Sequence, residues 1–391
     1  MFRHLAIAAF AAICSAQAPL VPGYRDVAWP NTSDAGTPYL FSRVLYPSHV
    51  GGNSAPVAPK TGGWPVIVLL HGFSFWGQHY VNLGEALARS GFVVMQLDTG
   101  IWNYLTLEAD ARAALPALVA ANASADDFFH DAFDTARIGL AGHSMGGGVA
   151  GLVLANNPGY RCGFGFAPVA PSPTVAAAID VPFGIVVGEG DTITPWQMFS
   201  VPFFQSLAPT TGLKFCHVLD QTCDHMNVAG LGVAGDAAFV SASAVAAGFF
   251  RSFLAADPTG LERCIGPRAR AAANFTSCDA EFAEPLVWSD MQPRLGRTVR
   301  VSIASAGGFG GILAAGSVTS GLPTSYGTFW LDPATTYTWV AGHIERHGRI
   351  DVMLSTPNNA SLVGVTLALQ AVGDDAQQVL KLGTTGEFTV R

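Results

Sequence analysis

Apolar positions between residues 37 and 255 fall into short unbroken runs separated by helix-length stretches. The runs at 64–70, 92–97, 137–141, 162–166, 181–187 and 214–219 show no polar alternation. That suits parallel strands covered on both faces. Between them, 80–88, 107–121, 145–156 and 236–255 carry helical patterns. The alternation predicts a doubly wound α/β domain with a mostly parallel sheet. Residues 19–60 are turn-rich instead, with an antiparallel edge strand expected over 39–46. Residues 196–207, rich in Phe and Met, read as one helix packing on the sheet, with a mobile cap as the alternative.

After residue 278 the pattern changes. No amphipathic helix is expected over 285–391; β-prone runs at 298–305, 328–331, 337–341, 350–354, 362–371 and 387–390 alternate with Gly and Ser turns. A smaller all-β C-terminal domain follows, its role not indicated by the pattern. At the other end, Arg3 and His4 precede a ten-residue apolar run and Ala16-Gln17-Ala18. This is the layout of a secretory signal, and the run is too short to span a bilayer. The expected division is 1–18 signal peptide, 19–284 catalytic domain and 285–391 β domain. The mature chain is expected to be secreted and extracellular, with the periplasm or cell surface as alternatives. No integral membrane segment is expected after cleavage, and a monomer is expected.

Composition narrows the function classes. Half of the residues are hydrophobic and 12% are charged, the opposite of a disordered chain. The net charge of −8, with no Lys/Arg cluster, argues against a nucleic-acid partner. Export favours disulfides. Five cysteines remain after the signal, so at least one is left over. A Cys264–Cys278 bridge would close a loop of 13 intervening residues. Cys216–Cys223 is a possible second bridge, leaving Cys162. No Cys-x-x-Cys pair occurs. His343 and His347, four apart, could bind zinc on a helix, but the surroundings are β-prone and a third ligand is not evident; no metal and no cofactor are expected.

The sharpest chemical signal is Gly142-His143-Ser144-Met145-Gly146, directly after an apolar run and before a Gly- and Ala-rich helix. A nucleophilic serine sits at such a strand-to-helix turn, and glycines let the neighbouring backbones approach. A serine hydroxyl needs a base, and the base needs an orienting acid. In this arrangement the chain order is Ser, acid, His. Asp191, in Gly188-Glu189-Gly190-Asp191-Thr192-Ile193-Thr194-Pro195, is the acid candidate, with Glu189 as runner-up. His225 is the candidate base. His217, inside a run, is expected to pack or face solvent, and Asp224 is too close in sequence to orient His225. The backbone N–H groups of Met145 and Phe73 are the candidate oxyanion donors. His71 is expected to orient the Phe73 loop, and His143 to line the pocket wall.

These motifs resemble those of bacterial cutinases, a family that includes the poly(ethylene terephthalate) hydrolases. The likeness covers about residues 35–280. It includes the Asp98-Thr99 pair, the elbow at Gly142, the Asp191 loop and the Cys264-x-Gly266-Pro267 tail. It implies an α/β-hydrolase fold and hydrolysis of polyester or fatty-ester bonds in a lidless groove. Ser144, Asp191 and His225 would form the triad. Phe73 and Met145 would serve as oxyanion donors and apolar clamp, with His143, Val169 and Trp196 lining the groove. The chain departs from the family in three ways. Val169 follows Pro168 where the family usually has Trp, unless Phe75, Trp76 or Trp196 compensates; Cys223 precedes the base; and the β region is additional. A small-ester hydrolase, such as an acetylhydrolase or dienelactone-hydrolase-like esterase, is the alternative within the enzyme class. A surface-binding protein built on the β domain is the alternative outside it.

Overall fold

The computed structural model describes residues 19–33, 35–209, 211–270, 274–344, 348–375 and 377–391. The expected signal segment, and Glu345, Arg346 and His347 of the two-histidine run, lie outside the described residues.

The chain begins with β1 (Val21–Pro30), β2 (Tyr39–Ser48) and β3 (Gly52–Asn53), then β4 (Trp64–Leu70), α1 (Val81–Arg89), β5 (Val93–Leu97) and α2 (Tyr104–Ala123). It continues through β6 (Phe133–His143), α3 (Met145–Ala155), β7 (Gly163–Phe166), α4 (Pro173–Ala177), β8 (Phe183–Gly188) and α5 (Ser200–Ser206). The last part is β9 (Leu213–Leu219), α6 (Ala237–Leu254), α7 (Leu261–Cys264), α8 (Pro267–Arg270) and β10 (Phe275–Phe282). The ten strands form one sheet, ordered β10-β9-β8-β7-β6-β4-β5-β2-β1-β3. The central strands are parallel, while β2 and β10 add antiparallel to the two sides.

The unbroken apolar runs have a direct physical outcome. Every residue of β4, β5, β8 and β9 is buried. Alternate side chains of β4 enter different cores: Ile67 and Leu69 join α1 and α6, whereas Val66, Val68 and Leu70 join α2 and α3. Helices therefore cover both faces of the sheet. Asn103 caps α2 by accepting from the Leu105 and Thr106 amides, and Asp236 caps α6 by accepting from Ala238 and Phe239. Among the described residues one helix, α6, is long and apolar enough to cross a membrane, and 61% of that stretch is buried inside the protein. It is a core helix. In the 196–207 segment, Phe203 packs on Phe183 with ring centroids 4.9 Å apart and Phe204 is buried, which is ordinary helix packing.

From residue 286 onwards the strands are β11 (Leu286–Ser289), β12 (Thr298–Ala304), β13 (Gly308–Ala315), β14 (Val318–Thr324) and β15 (Gly327–Leu331), then β16 (Tyr337–Ile344), β17 (Arg349–Ser355), β18 (Thr366–Asp374) and β19 (Leu380–Thr389). They pair as β11-β12-β17, β16-β13-β18-β19 and β14-β15. The first two sheets share an aliphatic core of Val287, Val299, Val301, Ile303, Ile312, Leu369 and Phe388.

A buried carboxylate ties this region to the larger sheet. Glu262 on α7 accepts from Trp288 Nε1 at 3.0 Å and from Arg300 at 2.6 Å. Trp288 itself is buried in the core formed by α1 and α6. Glu262→Ala leaves the indole N–H and the guanidinium without this acceptor, and should lower unfolding free energy by about 2–3 kcal/mol. Glu262→Gln, which keeps one acceptor oxygen, should lose less. Denaturant titration of the two variants checks this ordering.

The expected disulfides are not formed. Cys264 Sγ lies 3.6 Å from the Val245 and Gly260 carbonyls, and Cys278 Sγ lies 3.9 Å from the Ala269 carbonyl. Cys278 sits opposite His217 in the β9–β10 register, and His217 Nε2 donates to the Cys264 carbonyl, so an imidazole is interposed. Cys216 and Cys223 are not joined either. They belong to cores on opposite faces of the sheet.

Candidate active site

The parallel register brings five strand ends level, those of β4, β6, β7, β8 and β9. Leu70 pairs with Gly142, His143 with Phe166, Phe166 with Val186, and Gly188 with Leu219. The loops leaving β4, β6, β8 and β9 therefore emerge side by side at the carboxyl edge, where open α/β sheets place ligands. Those loops carry Phe73, Ser144, Asp191 and His225 in turn.

Ser144 has φ 54 and ψ −119, outside the regions an ordinary L-residue adopts. Neighbouring contacts hold it there: its N–H donates to Phe166 O, and its carbonyl accepts from the amides of Gly147, Gly148 and Val169. The flanking glycines are a packing requirement. A methyl at Gly142 would collide with the backbone of Gly146 and Gly147, and one at Gly146 with the carbonyls of Leu70 and His71.

Asp191 and His225 meet directly. His225 Nδ1 donates to Asp191 Oδ2 at 2.8 Å, and both side chains are buried. This fixes the tautomer with Nε2 bare, the form a general base requires. Burial alone would raise the Asp191 pKa. Hydrogen bonds from His225 and from the Thr194 amide and hydroxyl outweigh it and hold the carboxyl below its ordinary 3.8. A depressed carboxylate pKa stabilises the fold above the unfolded value and loses that contribution as pH falls through the folded one. The base loop is latched to the acid loop by the Gly190 amide on the Cys223 carbonyl, 3.0 Å.

The Phe73 loop lies against the elbow. A methyl at Gly72 would stand 3.1 Å from Tyr80 Oη, 3.2 Å from His143 Nδ1 and 3.3 Å from Ser144 Cβ. His71, fully buried, orients this loop as expected, its ring nitrogens facing the carbonyls of Gly72 and Thr99. Among the described residues neither the Phe73 nor the Met145 N–H has an acceptor. Amides left without an acceptor beside a strained serine can stabilise a developing oxyanion.

A family model for PET hydrolase-like proteins matches residues 39–237, just over half of the chain. The chain belongs to this family. Curated relatives include a bis(hydroxyethyl) terephthalate hydrolase of Streptomyces coelicolor, 27% identical over 172 residues (43% of this chain, 53% of the relative). Cutinase est1 of Thermobifida alba is 27% identical over 179 residues, 44% and 57% of the respective chains. Cutinase cut1 of Thermobifida fusca is 28% identical over 177 residues, 44% and 52%. The chain spans about half the length of these relatives.

For this PET hydrolase-like chain, several sequence expectations need adjustment. His143 is buried rather than on a pocket wall, with both ring nitrogens engaged. The Met145 side chain is buried too, so it offers no apolar clamp surface. Trp196 packs against the core with its indole N–H enclosed, and Val169 is half-buried at the elbow. Glu189 bonds Thr276 on β10 instead of the base, and Asp224 caps the Met226 and Asn227 amides.

Two contributors escaped the sequence reading. Thr194 Oγ1 bridges Asp191 Oδ2 at 2.8 Å and His225 Nδ1 at 3.0 Å; the Asp-x-x-Thr spacing of a side-chain-closed turn was the available signal. Trp102, 66% exposed, stacks edge-to-face on exposed Phe73 with centroids 5.1 Å apart. No spacing rule points to it.

Proposed function

We propose that this chain is a secreted α/β-hydrolase, a serine carboxylester hydrolase that cleaves polyester or fatty-ester bonds through an acyl-enzyme. The observation that carries this is the 2.8 Å His225–Asp191 hydrogen bond at the level of the strained Ser144. His225 Nε2 takes the Ser144 proton as Oγ bonds to the ester carbon. The carbonyl oxygen becomes an anion facing the Phe73 and Met145 amides. Collapse breaks the bond to the alkoxy group, which leaves as alcohol with the proton from His225. Water then attacks the acyl-serine by the same route, releasing a carboxylic acid and restoring Ser144. Asp191 holds the imidazole orientation throughout.

Exposed Phe73, Trp76 and Trp102 offer aromatic surface beside the elbow, which suits an apolar or aromatic acyl group. A small soluble diester is the second reading. Val169 stands where the family usually has a Trp, and one relative is named for bis(hydroxyethyl) terephthalate. We place the domain division near residue 284, with the β region outside the catalytic machinery.

A fluorophosphonate should label the full-length chain at one site, mapped to the peptide holding Ser144. Labelling elsewhere, or none, refutes the mechanism. Product release from polyester film against turnover of bis(hydroxyethyl) terephthalate separates the two substrate readings.

A further inference from the structure

One buried chain of hydrogen bonds is not required by the triad itself. The Gly72 N–H donates to Tyr80 Oη at 2.8 Å; Tyr80 Oη and His143 Nδ1 are 2.8 Å apart; His143 Nε2 and the His225 carbonyl are 2.7 Å apart. The proton positions follow from the partners. A carbonyl can only accept, so Nε2 carries the His143 proton. Burial, then the neighbouring His225, push the His143 pKa down to about 3, so the ring is neutral and Nδ1 has only a lone pair. Tyr80 must then donate to Nδ1 while accepting from Gly72. Every dipole points the same way, from the oxyanion loop to the base loop, and such aligned chains reinforce one another in a dry interior.

The chain reaches the oxyanion loop, the elbow and the base loop. Gly72 precedes Phe73, His143 precedes Ser144, and the last acceptor is the backbone of His225 itself. Tilted ring contacts follow it, with Tyr80 and His143 centroids 5.6 Å apart and His143 and His225 4.7 Å apart. Tyr80 and His143 are both essentially without solvent exposure, so water cannot substitute for a lost partner.

We infer that Tyr80 and His143 are positioning residues: their hydrogen-bonded chain sets the spacing of oxyanion loop, nucleophile elbow and base loop. Neither touches substrate. The inference rests on the serine-hydrolase reading of this site.

The test uses the full-length protein, a soluble nitrophenyl ester and a fluorophosphonate. Tyr80→Phe keeps the ring and removes the hydroxyl. It should lower kcat about 10- to 100-fold with KM within about threefold, since small displacements at the chemistry cost that much while binding is untouched. His143→Phe should do the same. The double variant leaves the Gly72 N–H and the His225 carbonyl without partners, so its stability stays below wild type; its kcat should fall little below that of the worse single variant, because one chain is broken either way. Losses of kcat that multiply in the double variant overturn the inference. So does wild-type kcat in either folded single variant. Should Tyr80→Phe fail to fold, His143→Phe decides alone by its kcat and KM. Failure of wild type to label at Ser144 sinks the hydrolase reading instead, which keeps the two failures distinct.

Discussion

On the proposed mechanism, Ser144→Ala should lower ester turnover by roughly 10⁴- to 10⁶-fold while leaving a folded protein. The size follows from the division of labour at the strand ends. Without Oγ there is no covalent intermediate, and His225 has no hydroxyl proton to take. The remaining amides of Phe73 and Met145 can still hold an oxyanion formed by water attack, which leaves a residual rate above background. The fold should tolerate the change, because the strain at φ 54 belongs to the backbone and is imposed by the bond its N–H donates to Phe166 O and by those its carbonyl accepts from Gly147, Gly148 and Val169. Steady-state kinetics with thermal melting checks both halves. A variant within tenfold of wild-type kcat would mean that another residue is the nucleophile.

Gly142→Ala acts on the other quantity. Its added methyl would meet Gly146 O and C and, at 2.6 Å, Gly147 N. All are backbone atoms at the start of α3, so no side chain can rotate away. Gly142 is also fixed on its strand, opposite Leu70 of β4 and Gly165 of β7. Relief requires moving α3 away from β6. The expected loss exceeds about 4 kcal/mol, the range reserved for overpacking and comparable faults. It should appear as insoluble expression or a large drop in melting temperature. A melting point near wild type would show that the elbow is looser than its contacts indicate.

The central strands were legible because burial on both faces leaves nothing but apolar residues, as in β4 and β8. The edges were not. β1 carries two prolines, a glycine and charges, and is held by full-length pairing with β2 rather than by its own pattern. β10 mixes Thr, Ser, Asp and Glu, and is held partly by Lys214 pairing with Glu281 across the strands at 3.2 Å. In the β region, three glycines in β13 interrupt Phe309, Ile312 and Leu313, so no strand pattern shows. The elbow was readable since its glycines are forced by close backbone contact. Tyr80 was not, because it reaches His143 across 63 positions and nothing local marks a tyrosine as a hydrogen-bond hub. Cysteine spacing misled because loop length says nothing about which face of the sheet each thiol occupies.

Trp288 has a practical consequence for anyone shortening this chain. Its side chain plugs the core beneath α6 and α7, although by sequence it belongs to the β region. Cutting at residue 284 would pull that plug, open a tryptophan-sized hole and take the Trp288 and Arg300 donors from Glu262. Moving the cut past Ser289 retains the plug at the cost of five residues of tail. The seam between the two parts is thus not a linker to be severed but a rivet, and the minimal catalytic unit should carry it.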